Sequence, residues 1–150
     1  MVTRSARLLE AVAARFPAEL APADTIGVAT PRDVAGRVGA VSRAFPDLPL
    51  RLHLHDARGT GIGSVRDGPE SGVRSFDASL GGTGGRPFAP RAAGNVATED
   101  LAYMLERVGV ETGMDPDAAI RAAGWPEARL GHALPGRVMR AAGFPPPSAA

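Results

Sequence analysis

The sequence predicts an α/β fold built on parallel strands. Segments with the 3.6-residue period of an amphipathic helix alternate along the chain with segments in which apolar and polar residues alternate, the order of strand and helix units. Glycine and proline, 19 and 14 of the 150 residues, punctuate the chain into short pieces. His53, His55, Asp56, Asp24 and a glycine-rich loop fall at the ends of the strand candidates. Parallel sheets collect their chemistry there.

The first unit, Arg4 to Phe16, carries Leu8, Leu9, Val12, Ala13 and Phe16 at helical spacing, and Pro17 stops it. Thr30-Pro31-Arg32-Asp33 reads as a helix start, with Thr30 as N-cap, Pro31 at the first helical position and an acid in the first turn. Val34, Val38, Val41 and Phe45 line one face of that helix until Pro46 and Pro49 end it. Leu50 to Asp56 then alternates strictly, leucines one way and the two histidines the other. Val73 to Leu80 is the next strand candidate, with Val73, Phe76 and Leu80 apolar and Asp77 and Ser79 on the other side. Beyond the glycine loop, Thr98-Glu99-Asp100 opens a helix with Leu101, Met104, Leu105 and Val108 on one stripe and Gly109 as its stop. A last capped helix is expected from Asp115-Pro116 to Ala123, ending at Gly124. From Trp125 the chain is rich in proline, glycine and alanine, and residues 144–150 are expected to form a disordered tail to a domain spanning 1–143.

Composition excludes more than it assigns. With 17 basic and 16 acidic residues the net charge is +1, which gives no electrostatic footprint for nucleic acid or an anionic membrane. Every basic residue is arginine and there is no cysteine, so lysine-amine chemistry, thiolate metal sites and a cysteine nucleophile are all ruled out. The first sixteen residues are too charged for a signal peptide, and no apolar run approaches the ~20 residues that span a bilayer. A soluble, cytoplasmic protein is expected.

Two features carry possible chemistry. His53 and His55, two apart on a strand, project from one face, where two imidazoles can share a divalent cation or simply hydrogen-bond to neighbours. The loop Gly81-Gly82-Thr83-Gly84-Gly85 invites a phosphate-cradle reading. Such a cradle needs a helix N-terminus directly after the glycines, yet Arg86-Pro87-Phe88-Ala89-Pro90 intervenes and its two prolines lack backbone donors. His132 receives no role.

Five blocks together resemble the 3-hydroxy-3-methylglutaryl-CoA lyase family: Asp24-Thr25-Ile26-Gly27-Val28-Ala29-Thr30-Pro31, His53-Leu54-His55-Asp56, Phe76-Asp77-Ala78-Ser79, Gly84-Gly85-Arg86-Pro87-Phe88-Ala89-Pro90 and Gly94-Asn95-Val96-Ala97-Thr98-Glu99-Asp100-Leu101. The first two blocks also occur in related isopropylmalate and homocitrate synthases. The glycine loop followed by G-N-V-A-T-E-D points to the lyase branch, and the resemblance runs from Asp24 to Gly143. It implies a partial (β/α)8 TIM barrel, approximately the last three strands and their helices. The implied reaction cleaves 3-hydroxy-3-methylglutaryl-CoA to acetyl-CoA and acetoacetate, in leucine degradation and ketone-body metabolism, with citramalyl-CoA as an open alternative substrate. It further implies Mg2+ or Mn2+ held by His53, His55 and Asn95, with Asp24 near the reacting hydroxyl. Glu99 and Asp100 would support the loop and Asn95 from behind, and Gly84, Gly85 and Pro87 would belong to a flap that closes over an acyl-CoA substrate.

Four departures from the family lead to the expectation of a truncated and impaired lyase, or of a non-catalytic fragment with residual divalent-metal or acyl-CoA binding. A full barrel takes roughly 250 residues, and the Arg-Asp pair of the family's first strand has no counterpart. Arg86 stands where the family carries a proton-transferring cysteine; a guanidinium stays protonated and cannot alternate between acid and base. Gly59 to Gly72 should form a helix but contains glycines and a proline that cost about 1 and 3 kcal/mol per position relative to alanine, so a short or broken helix is expected. Pro22 falls in the strand leading to Asp24, where it removes a ladder bond. Strands cut from a barrel should leave open edges and uncovered apolar faces, so a homo-oligomer or a complementary N-terminal half is the expected partner.

Overall fold

The protein is described by a computed structural model that covers residues 7, 11, 12, 14, 15, 17–66, 68, 71–84 and 94–141. The elements in chain order are β1 (Ala23–Asp24), α1 (Pro31–Ala44), β2 (Arg51–Leu54), α2 (Gly61–Val65), β3 (Ser75–Asp77), a 3₁₀ turn (Leu80–Gly82), α3 (Thr98–Arg107), α4 (Pro116–Leu130) and α5 (Val138–Ala141). The strands pair in parallel in the order β1-β2-β3, with Ala23 opposite His53 and His53 opposite Asp77.

Alternation along β2 divides its residues between two environments. Leu50, Leu52 and Leu54 join Val34, Val38, Val41, Val65, Val73, Leu101 and Leu105 in the core beneath the helices. Arg51 and His53 stand half-buried on the opposite face beside Ser75 and Asp77. The open face of the sheet is therefore polar, and the uncovered apolar face expected of barrel strands is absent there. The apolar residues of β2 and β3 already pack in the core beneath the helices.

Helix α1 forms where its local signals place it. Thr30 Oγ1 accepts from Asp33 N at 3.3 Å while the Asp33 carboxylate accepts from Thr30 N at 3.0 Å, a reciprocal capping box ahead of Val34, Val38 and Val41. Each of those valines contributes about 1.5–3 kcal/mol by burial. Helix α2 is only five residues long. Its glycines keep it short, and Asp56 Oδ1 starts it by accepting from Gly61 N at 2.8 Å and Ile62 N at 3.3 Å. Pro22 is tolerated because β1 is an edge strand: its carbonyl still accepts from His53 N at 3.1 Å, and the strand is assigned from the following residue.

Three expectations differ from the structure. β3 covers only Ser75–Asp77 because Gly81 and Gly82 adopt positive φ and turn the chain into the 3₁₀ segment. Val108 lies at the end of α3 and is exposed. Helix α4 runs through Gly124 and Pro126 to Leu130, ending at Gly131 in the left-handed conformation, and Arg129 stacks on Trp125 at 5.7 Å. Arg7, Ala11 and Val12 are helical, whereas Leu8, Leu9, Ala13 and Phe16 of the first expected helix, and residues 144–150, lie outside the described residues. Among the described residues no helix is long and apolar enough to cross a membrane.

Candidate active site

The site assembles at the C-terminal end of β2. His53 and His55 project from its polar side with ring centroids 5.1 Å apart and planes at 75°. An antiparallel bridge sets His55 opposite Asn95, so the structure brings the histidine pair and the asparagine together from positions forty residues apart in sequence. His55 Nδ1 lies 3.0 Å from the Asp24 carbonyl oxygen, and His53 Nδ1 lies 3.3 Å from Asp77 Oδ2. Asn95 Nδ2 donates to the Thr83 carbonyl at 3.1 Å. Both rings thus use their Nδ1 edge on protein oxygens, and Asn95 uses its amide nitrogen.

The donor set suits a hard divalent ion with open positions: two imidazole Nε2 atoms and one carboxamide oxygen. Among the described residues no group of three His, Cys, Asp or Glu side chains is placed to hold a metal, and the third candidate donor is the carboxamide of Asn95. A close approach of backbone holds it in place. A Cβ on Gly84 would stand 2.8 Å from Asn95 Nδ2, and one on Gly94 would overlap the carbonyl oxygens of Gly82 and Gly84. Gly85, Arg86 and Pro87 lie outside the described residues.

Asp24 reaches the site through its carbonyl. Its carboxylate accepts from Val28 N at 3.2 Å and Ala29 N at 2.9 Å, which folds the loop between β1 and α1. Glu99 and Asp100 occupy the first turn of α3 and act on different segments. Glu99 is fully buried, and its Oε2 accepts from Gly81 N at 3.1 Å at the root of the glycine loop, while its Oε1 has no hydrogen-bond partner among the described residues. Burial pushes the Glu99 carboxyl above the usual carboxylate range, with the backbone N–H groups of Glu99 and Gly81 opposing that shift. Asp100 accepts from Arg137 N and Val138 N.

A cavity of about 260 Å³ opens beside Asn95, lined among others by Asp56, Arg58, Gly82, Asp100 and Arg137. Arg137 Nη1 donates to Asp56 Oδ2 at 2.9 Å, and Arg58 Nη1 donates to the carbonyls of Ile26 and Gly27. Sequence reading assigned no role to Arg137, whose contact with Asp56 joins residues 81 positions apart. His132 is exposed, with its Nδ1 3.1 Å from the neighbouring Ala133 carbonyl oxygen.

The family model described as HMGL-like matches residues 2–124. The chain is 46% identical over 123 residues to (R)-citramalyl-CoA lyase of Chloroflexus aurantiacus, covering 82% of this chain and 39% of that protein. It is 40% identical over 134 residues to the hydroxymethylglutaryl-CoA lyase YngG of Bacillus subtilis, covering 89% and 45%. The crystal structure of the Bacillus subtilis HMG-CoA lyase superposes with a TM-score of 0.87 at 38% identity, over 94% of this chain and 47% of that one. An HMG-CoA lyase from Acinetobacter baumannii in complex with coenzyme A and 3-methylmalate superposes with a TM-score of 0.83 at 40% identity, over 94% and 48%. The chain therefore spans less than half the length of each of these proteins.

Proposed function

We propose a function from one premise: the chain belongs to the HMGL-like family, that of 3-hydroxy-3-methylglutaryl-CoA lyase, and its parallel sheet is part of that family's barrel. The function is metal-dependent carbon-carbon cleavage of a carboxylate-bearing 3-hydroxyacyl-CoA, with hydroxymethylglutaryl-CoA yielding acetyl-CoA and acetoacetate. The observation that carries it is the histidine pair with Asn95, each ring already bonded through Nδ1 and the amide through Nδ2.

His53, His55 and Asn95 would hold Mg2+ or Mn2+, which supplies Lewis-acid polarisation of the substrate hydroxyl and carboxylate. By the family resemblance Asp24 would stand near the reacting hydroxyl; its carbonyl faces His55 Nδ1, and its carboxylate is held by Val28 N and Ala29 N. As the hydroxyl proton passes to water, the C–O bond becomes a ketone and the electron pair of the breaking carbon-carbon bond passes to the thioester as an enolate, which takes a proton back from water to give acetyl-CoA. Glu99 and Asp100 hold the two segments that flank the cavity, and Gly84, Gly85 and Pro87 would belong to a loop that closes over substrate. Arg86 supplies positive charge for a carboxylate or a CoA phosphate and no exchangeable proton at neutral pH, so turnover is impaired.

Purified protein with Mg2+ is assayed for acetoacetate from hydroxymethylglutaryl-CoA and for pyruvate from citramalyl-CoA. Background rates on both would reject the catalytic reading, and a rate that rises in Arg86→Cys assigns the impairment to the loop. Arg86 favours a second reading, a non-catalytic fold that retains divalent-metal or acyl-CoA binding. That reading expects heat on Mn2+ titration which disappears when His53 and His55 are both replaced by alanine.

A further inference from the structure

Resting on the metal-binding reading of His53 given above, we infer that Asp77 is a positioning residue: clamped by Arg51, its carboxylate fixes His53 in the tautomer that leaves the Nε2 lone pair free for the metal. The register of the sheet makes the contact. His53 pairs with Asp77 across β2 and β3, and Arg51 pairs with Ser75, so the Asp77 carboxylate sits between a guanidinium and an imidazole two residues apart on one face. Asp77 Oδ1 accepts from Arg51 Nη1 at 2.9 Å and Asp77 Oδ2 lies 3.3 Å from His53 Nδ1. Arg51 is itself held from its other edge, donating from Nε to Glu19 Oε2 at 2.7 Å. The guanidinium is thus pinned from both sides, and the carboxylate it holds keeps one oxygen aimed at the ring.

An ionised carboxylate only accepts, so the proton in the Asp77–His53 contact belongs to Nδ1. That leaves Nε2 with its lone pair, the state a metal ligand needs. The neutral histidine side chain in water favours the opposite tautomer, whose Nε2–H cannot ligate. The two histidines differ in what orients them. His55 faces the Asp24 backbone carbonyl, an acceptor that no substitution removes, whereas His53 depends on a side chain. Stability does not account for the network. The Arg51 and Asp77 side chains are 41% and 36% exposed, and ion pairs so exposed contribute about 0–1 kcal/mol.

The chain has three histidines, so their imidazoles can be assigned singly in the full-length, 15N-labelled, metal-free protein. Long-range 1H–15N correlation at pH 8.5 should show His53 protonated on Nδ1, and Asp77→Ala should move it toward the Nε2–H form. Asp77→Asn, whose side-chain oxygen still accepts, should keep the wild-type pattern. Mn2+ affinity, read from the free-ion signal in electron paramagnetic resonance, should fall about tenfold or more in Asp77→Ala and less in Asp77→Asn. An Nε2–H tautomer in the wild type, the same tautomer in Asp77→Ala, or a shifted tautomer with unchanged Mn2+ affinity each overturns the role. Failure of the wild type to bind Mn2+ overturns the metal reading instead, and the tautomer measurement then decides by itself whether Asp77 orients His53.

Discussion

Asp100 Oδ1 accepts from the backbone N–H of Val138 at 2.7 Å and from that of Arg137 at 3.0 Å, so one carboxylate in the first turn of α3 ties down a segment 37 residues further along the chain. Asp100 is nearly buried, and both donors lose their partner if it is removed. Asp100→Ala should cost about 1–3 kcal/mol of unfolding free energy in urea. It should also free Arg137 from Asp56, seen as faster proteolysis after residue 130. A variant as stable and as resistant as the wild type would mean that the Arg137 segment is held by its other contacts.

Glu99 gives a pH-dependent prediction. Burial raises its folded-state carboxyl above the unfolded value, so its protonated form is the one favoured by folding. The contribution of such a group is fully present below the unfolded pKa and is lost as pH rises through the raised folded value. The stability of wild type relative to Glu99→Gln, which stays neutral, should therefore fall as pH is raised from 4 toward 7. Comparing the two proteins cancels the titration of all other carboxyls. A difference that is flat or grows with pH would show that the N–H bonds to Oε2 outweigh burial.

How much of this was legible without coordinates depends on the range of each interaction. Helix α1 can be read residue by residue because Thr30, Pro31, Asp33 and the valine stripe act within a few positions of one another. The histidine pair on β2 is equally local, since period two alone places both rings on one side. Asp77 was visible as the polar side of a strand, but its contact with His53 depends on the register between two strands, which no local pattern specifies. The Arg137–Asp56 pair spans 81 residues and carries no sequence signal of its own. Asn95, Glu99 and Asp100 became candidates through a family motif, because their functions arise from the bridge to His55 and from contacts with Gly81 and Val138.

Gly94 sits where the chain returns to the sheet directly before Asn95. A Cβ there would overlap two backbone carbonyl oxygens, which cannot move aside as the end of a flexible side chain could. Gly94→Ala should therefore cost about 1–3 kcal/mol through overpacking. It should weaken Mn2+ binding more than a substitution of equal stability cost in α1, such as Val34→Ala. Equal losses of Mn2+ affinity at matched stability would place the strain away from Asn95.

Helix α4 tests how propensity yields to context. Gly124 reads as a terminator and Pro126 as a breaker, since proline at 126 has no N–H for the carbonyl of Ala122 and costs about 3 kcal/mol in a helix interior. The helix nonetheless continues to Leu130. Asp115 Oδ1 caps its start by accepting from Ala118 N at 3.1 Å, and Ala119 and Ala123 are buried one turn apart against the body of the protein. Beyond Pro126, Glu127 Oε2 accepts from Leu134 N at 3.1 Å and from Arg140 Nη2 at 2.8 Å, contacts that need residue 127 on the helix. Gly124 is exposed, and a Cβ there meets nothing within 4 Å. Gly124→Ala should therefore stabilise the protein by about 0.5–1 kcal/mol, as a higher urea midpoint with an unchanged slope. A loss of stability would mean that the chain breaks at Gly124, because only an interrupted helix would use the conformational freedom that alanine lacks.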